Sequence, residues 1–295
     1  TVAYASAGGT RESILDGVTW DRIEVSTSLA FSSDGRFIAS GGADGKVRLW
    51  DASTGRTLRI LEGHMEEVLS VAFSPDGQLV ASGGDDGRVL LWRRETGTEL
   101  HPAEHHSGAV HAVAFSSDGT LASGGDDGQI QRWRVSAEAM PLPLKPLLVN
   151  GRDSVWALAF SPDGRRLASG VGQGRIWLWE PETQEAPLLL RGSSRELKGG
   201  PGIVRALAFS PNGKTLAAGS SKGQVWLWTG DFKLPARRFE NDLSGDVLSV
   251  GFSPDGRIVV AAGLDGVVAL TKAELEPGVP LEEAGTQSDV HVVTI

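Results

Sequence analysis

The stretch VLSVAFSPDGQLVASGGDDGRVLLW, Val68 to Trp92, decides the fold. Val68 to Phe73 alternates larger and smaller apolar residues, the pattern of a strand covered on both faces. Ser74, Pro75, Asp76 and Gly77 then form a turn, because proline presets φ and glycine accepts positive φ. A second strand through Leu79 to Ser82, a turn carrying Asp86 and Gly87, and a third strand ending on Trp92 follow. A weaker fourth strand precedes the next copy, as Leu58 to Leu61 does before Val68. Connections this short impose antiparallel pairing.

The unit recurs along almost the whole chain. Its phenylalanine falls at Phe31, Phe73, Phe115, Phe160, Phe209 and Phe252, with Ile295 in the same place, at steps of 42, 42, 45, 49, 43 and 43 residues. These steps suit four-stranded blades and are wrong for helical or leucine-rich repeats. Four strands cannot bury both faces alone, so the blades must stack around an axis. The expected fold is all-β, a seven-bladed β-propeller forming one domain over residues 1 to 295, its seventh blade shared between the N- and C-termini. Residues 287 to 295 (QSDVHVVTI) align with the first strand Val68 to Phe73, and residues 4 to 17 (YASAGGTRESILDG) align without a gap on residues 50 to 63. About fourteen residues for the second strand of that blade are then missing in this register.

These residues carry a family resemblance. Trp50 is followed by Asp51 and Gly63 by His64, FSPDG turns stand at Phe73, Phe160 and Phe252, and ASGG precedes an Asp-Gly turn. The units resemble WD repeats over nearly all 295 residues, although Trp92, Trp133, Trp179 and Trp228 are followed by Arg, Arg, Glu and Thr. The resemblance implies a hydrogen-bonded lock in each blade, from a His before the first strand, a Ser on the second, an Asp in the next turn and the Trp of the third. His64, Ser82, Asp86 and Trp92 match it, as do His106, Ser123, Asp127 and Trp133. The first unit has Ser40, Asp44 and Trp50 without the His, and later units lose more, with Gln173 and Lys222 where the Asp would sit.

Composition excludes several classes. No cysteine means no disulfide framework and no thiolate zinc site. No apolar run reaches the roughly 18 residues of a membrane span. A net charge of −9 opposes attraction to phosphate backbones, so nucleic acid is a poor partner. The start at Thr1, without a signal-like segment, reads as a piece of something longer, and a cytoplasmic setting is expected. His101, His105, His106 and His111 crowd together, but the register spreads them over separate elements, so no metal is expected. Gly219 to Gly223 (GSSKG) matches a nucleophile elbow, yet falls in a turn between strands where no helix follows. Gly213, Lys214 and Thr215 lack the earlier glycine of a phosphate-binding loop. No catalytic residue and no cofactor is expected.

What remains is surface. In the resembled fold the residue four before each repeat phenylalanine lines the mouth of the central channel: Thr27, Leu69, His111, Trp156, Arg205, Leu248 and His291. These differ from one another while the framework repeats almost unchanged, and Trp and Arg are the types most enriched at binding hot spots. A Pro-rich stretch at residues 141 to 146 (PLPLKP), a long connection at residues 191 to 200, and the acidic segment with Glu274, Glu276, Glu282 and Glu283 offer further surface. The chain therefore reads as a non-enzymatic interaction or sensing scaffold, the WD-repeat part of a larger signalling or effector protein, bacterial in style because its units are so alike. Its expected partner is a protein or peptide at the channel mouth, with no membrane. The alternatives are an architectural subunit binding through its flanks and, remotely, an enzyme.

Overall fold

The computed structural model describes residues 14–15, 18–19, 26–100, 105–148, 153–183, 186–190, 202–233, 236–238, 243–265 and 268–272. Residues 3–154 and 155–295 form two compact units. The first holds three four-stranded antiparallel sheets. Sheet 1 runs Ser26–Phe31, Phe37–Gly42, Lys46–Asp51, Thr57–Glu62; sheet 2 runs Val68–Phe73, Leu79–Gly84, Val89–Arg93, Glu99–Leu100; sheet 3 runs Val110–Phe115, Thr120–Gly125, Gln129–Arg134, Leu142–Leu148. The second unit holds sheet 4 (Val155–Phe160, Leu167–Val171, Ile176–Trp179, Leu188–Leu189), sheet 5 (Val204–Phe209, Thr215–Ser220, Val225–Thr229, Arg237–Arg238) and sheet 6 (Val247–Phe252, Ile258–Gly263, Val268–Lys272). Within every sheet the strands pair in chain order, as a meander.

The first turn of each unit shows why the repeat keeps its Ser and Asp. Ser74 Oγ donates to Asp76 Oδ1 at 2.5 Å and accepts from the Leu79 amide at 2.9 Å, and Asp76 accepts from the Gln78 amide. Ser32–Asp34, Ser161–Asp163 and Ser253–Asp255 repeat the arrangement, and Asn212 stands in for the Asp at Ser210. These carboxyls sit below the usual range where a shift is resolved, as at Asp34, because serine and backbone donors stabilise the charged form. Gly77, at φ +67°, closes the turn in a region that L side chains avoid.

Sheets pack by inserting a valine of one into a glycine of its neighbour. A Cβ placed on Gly41 would lie 2.7 Å from Val68 Cγ1, one on Gly83 2.6 Å from Val110 Cγ1, and one on Gly170 2.5 Å from Val204 Cγ1. Gly219 and Val247 repeat the contact between sheets 5 and 6. Apolar layers fill the spaces on either side, joining Val47, Leu49 and Leu61 to Val71, Phe73 and Val80 in the first unit, and Ile176 and Leu178 to Leu216, Trp228 and Phe232 in the second. In the first unit hydroxyls add a polar stitch: Ser28 Oγ accepts from the Val71 amide at 3.1 Å and Ser70 Oγ from the Val113 amide at 3.0 Å. Ala157 and Ala206 take these places in the second unit.

Two expectations change. Among the described residues sheet 6 has three strands rather than four. Ile14–Leu15, aligned by sequence with a fourth strand, pairs instead with Val18–Thr19 in a two-stranded piece. Residues 287 to 295 lie outside the described residues, and so does the sharing of a seventh blade between the termini.

The glycine sockets make a direct test. Gly83→Ala should cost about 1–3 kcal/mol by overpacking Val110. Gly251→Ala should be close to neutral, since a Cβ there meets nothing within 4 Å. Chemical denaturation of both variants checks the contrast.

Candidate partner-binding site

Each first strand carries one residue too many for its partner. In sheet 2, Val68 pairs with Gly84 and Ser70 with Gly83, which leaves Leu69 as a β-bulge. The same slip leaves Thr27 in sheet 1, His111 in sheet 3, Trp156 in sheet 4, Arg205 in sheet 5 and Leu248 in sheet 6. These are the residues four before each repeat phenylalanine. A bulge takes its residue out of the ladder and re-aims its side chain, so the variable position is also the one relieved of pairing. The side chain of Thr27 and all of His291 lie outside the described residues.

The bulge residues differ in what holds them. Arg205 stacks on the ring of Trp156, its guanidinium carbon 4.7 Å from the ring centroid, and its Nε stands 3.5 Å from Asp246 Oδ2. An aromatic face and a carboxylate thus flank an Arg whose side chain is 34% exposed, an arrangement favoured by cation–π attraction. In the first unit His111 Nε2 lies 2.8 Å from Asp126 Oδ1. The Asp126 pKa is lowered even though burial opposes this, because His111 and the Ser154 hydroxyl bond to the carboxylate. Leu248 is exposed and Leu69 half-buried.

The lock residues form a buried chain in sheet 2. Trp92 Nε1 donates to Ser82 Oγ at 3.2 Å, Ser82 Oγ meets His64 Nε2 at 2.9 Å, and His64 Nδ1 meets Asp86 Oδ1 at 3.0 Å. Indole only donates, so Ser82 accepts from it; with Nδ1–H donating to Asp86 and Nε2 bare, Ser82 gives its own proton to His64 Nε2. This order requires neutral imidazole. Burial pushes the His64 pKa below 6.5 against the pull of Asp86, in keeping with that form. Burial pushes Asp86 up, but bonds from the Met65 amide, His64 and the Arg88 amide hold its pKa below the usual value.

Sheet 3 corrects the expectation of a second full lock. His106 reaches Asp127 at 2.9 Å and Ser123 at 2.7 Å, yet the buried Trp133 Nε1 makes no hydrogen bond. Elsewhere the parts are redistributed. Trp50 and Trp179 keep the serine bond, to Ser40 at 2.9 Å and Ser169 at 2.8 Å. Asp44 takes a bidentate Arg48 in place of the His. Gln173, at φ +60° beside Gly174 at +64°, turns the chain as an I′-type pair in place of the Asp turn. In sheet 6 Asp265, not singled out from sequence, accepts from both the amide and hydroxyl of Ser244, at 2.8 and 2.6 Å; its signal was the Asp-Gly pair at 265 and 266. Among the described residues no group of His, Asp and Glu is arranged to hold a metal.

Asp86→Ala should cost about 1–3 kcal/mol by stranding buried donors, and Lys222→Ala far less. Trp92→Phe should lose about 1 kcal/mol and Trp133→Phe much less, since only Trp92 has a bond to lose. Denaturant titrations measure all four. The lock also sets a pH response: with His64 lowered, the unfolded chain binds more protons just below pH 6.5, so stability falls on acidification through that window. Asp86, also lowered, adds a further loss below pH 3.8. In His64→Gln the melting temperature should lose part of its slope between pH 7 and 5.

The sequence matches the family described as IFT122 first beta-propeller over residues 25–274. Shorter similarities join it to a "Probable cytosolic Fe-S cluster assembly factor" of Schizosaccharomyces japonicus, 58% identical over 33 residues, which are 11% of this chain and 5% of that protein. "Protein tipD" of Dictyostelium discoideum is 41% identical over 46 residues, 16% of this chain and 6% of that protein. Such spans are about one repeat long, so they report kinship of the repeat. Both sources are eukaryotes, and the expectation of a bacterial style gains no support from them. With five four-stranded sheets and one three-stranded sheet of a single repeating design among the described residues, and a match covering most of its length, the chain belongs to the IFT122 first beta-propeller family.

Proposed function

We propose that the chain is a protein-interaction scaffold that binds its partner through the bulge residues of its first strands. The observation that carries this reading is Arg205, lying over the Trp156 ring and beside Asp246 with its side chain 34% exposed. An Arg immobilised before association loses little side-chain entropy when a partner's carboxylate or carbonyl arrives. Trp156 beside it supplies the aromatic anchor typical of a hot spot. His111 and Leu69 extend the same design in the first unit.

The burial of the reactive-looking residues supports a non-catalytic role. His64, Ser82 and Asp86 have the composition of a nucleophilic triad, but Ser82 is 0% exposed and its hydroxyl is committed to His64 and Trp92. A nucleophile that no substrate can touch does no chemistry. No helix among the described residues is long and apolar enough to cross a membrane. The proposed setting is cytoplasmic, with the propeller acting as an interaction or sensing scaffold of a larger signalling or effector protein.

Trp156→Ala or Arg205→Ala should weaken association by about 2 kcal/mol and leave the melting temperature within a degree or so. Lys214→Ala, in the turn at the other end of sheet 5, should leave affinity unchanged. The measurement is titration calorimetry with a partner recovered on the immobilised wild-type domain. Unchanged affinity in both variants would move binding to the flanks and favour the architectural role.

A further inference from the structure

The fourth strand of sheet 3, Leu142–Leu148, does not expose its residues as a strand should. Pro141 is buried and Leu144 and Leu147 are half-buried, while Leu142, Pro143, Lys145, Pro146 and Leu148 are exposed. Burial therefore recurs every third residue. A pleated strand repeats every second residue, whereas a polyproline II helix has three residues per turn. The cause lies in the sequence: prolines at 141, 143 and 146 fix their own φ and drive each preceding residue into the extended or polyproline region. Pairing with the third strand slips between Ile130 and Arg132 to accommodate this. From the inner side Arg132 donates Nε and Nη2 to the Lys145 carbonyl, at 3.3 and 3.1 Å.

Two X–Pro pairs result, Leu142–Pro143 and Lys145–Pro146, both exposed and three residues apart, with half-buried Leu144 between them. Met140, 66% exposed, and Leu148, 63% exposed, flank them. An apolar edge of this kind commonly attracts another strand, but proline offers no N–H for a ladder. Strand addition is thereby disfavoured, and the chemistry that remains is recognition of the prolines themselves. Aromatic-lined grooves read preformed polyproline segments of the P-x-x-P type.

We propose that residues 142–146 form a preordered ligand for the aromatic-lined groove of a proline-recognition domain of the SH3 kind. The segment is held in shape by its own sheet, so docking does not have to order it. It shares the protein-interaction reading but none of the bulge residues, and each surface can fail alone.

The test titrates the intact chain against a panel of isolated SH3 domains by fluorescence anisotropy. At least one should bind with micromolar affinity. Pro143→Ala with Pro146→Ala should weaken that binding at least about tenfold at an unchanged melting temperature, and Trp156→Ala should leave it unaltered. If the double variant unfolds, Lys145→Glu, a fully surface change, should still weaken binding severalfold. No binding by the wild-type chain to any member of the panel would overturn the proposal, and so would binding that survives both the proline and the lysine changes.

Discussion

The close approach of a valine on one sheet to a glycine on the next is the constraint on which the structure depends. It explains why the second strand of each repeat reads Ala-Ser-Gly or its near equivalent: Ala39, Ala81, Ala122, Ala168, Ala217 and Ala261 are all 0% exposed, and the adjoining glycines leave room for Val68, Val110, Val204 and Val247. Larger residues there would hold the sheets apart and open the apolar layers. The lock and the Ser–Asp turns then act on backbones already placed by this packing. They satisfy buried polar groups, which is worth less than the packing itself but costs more when left half made.

The first strands pair along their length and bury their leading valines Val68, Val110, Val155, Val204 and Val247, so most of their positions have little freedom to vary. The β-bulge is where that freedom is restored. One residue per repeat leaves the ladder, and the chain can place Leu, His, Trp, Arg or Leu there without altering the pairing around it. Framework and variable surface are separated at the scale of single residues. The Pro-rich edge of sheet 3 shows the same economy in another form, since Pro143 and Pro146 are exposed while Pro141 is buried.

The architecture was legible because it is periodic. The spacing of Phe31, Phe73, Phe115, Phe160, Phe209 and Phe252 and the Asp-Gly turns give the strands and their order directly. The bulge positions were legible only as variability, for no residue type marks a register slip. The lock in sheet 2 could be read from spacing, while the missing Trp133 bond could not, because the same four residue types stand in both sheets and only the geometry separates them. The Arg48–Asp44 pair and the Ser244–Asp265 pair escaped notice for a related reason: substitutes for a missing histidine share its geometry and not its identity. The threefold exposure of residues 141–147 needed a structure, since a Pro-rich run alone reads equally well as a linker.

A saturation scan that reads folded abundance at every position would test the separation of framework from variable surface most directly. Substitutions at Leu69, His111, Trp156, Arg205 and Leu248 should be tolerated across most residue types, while those at Gly41, Gly83, Gly170 and Gly219 and at the valines they receive should collapse abundance. Equal sensitivity at the bulge and socket positions would contradict the account, because the bulge residues would then be carrying the fold.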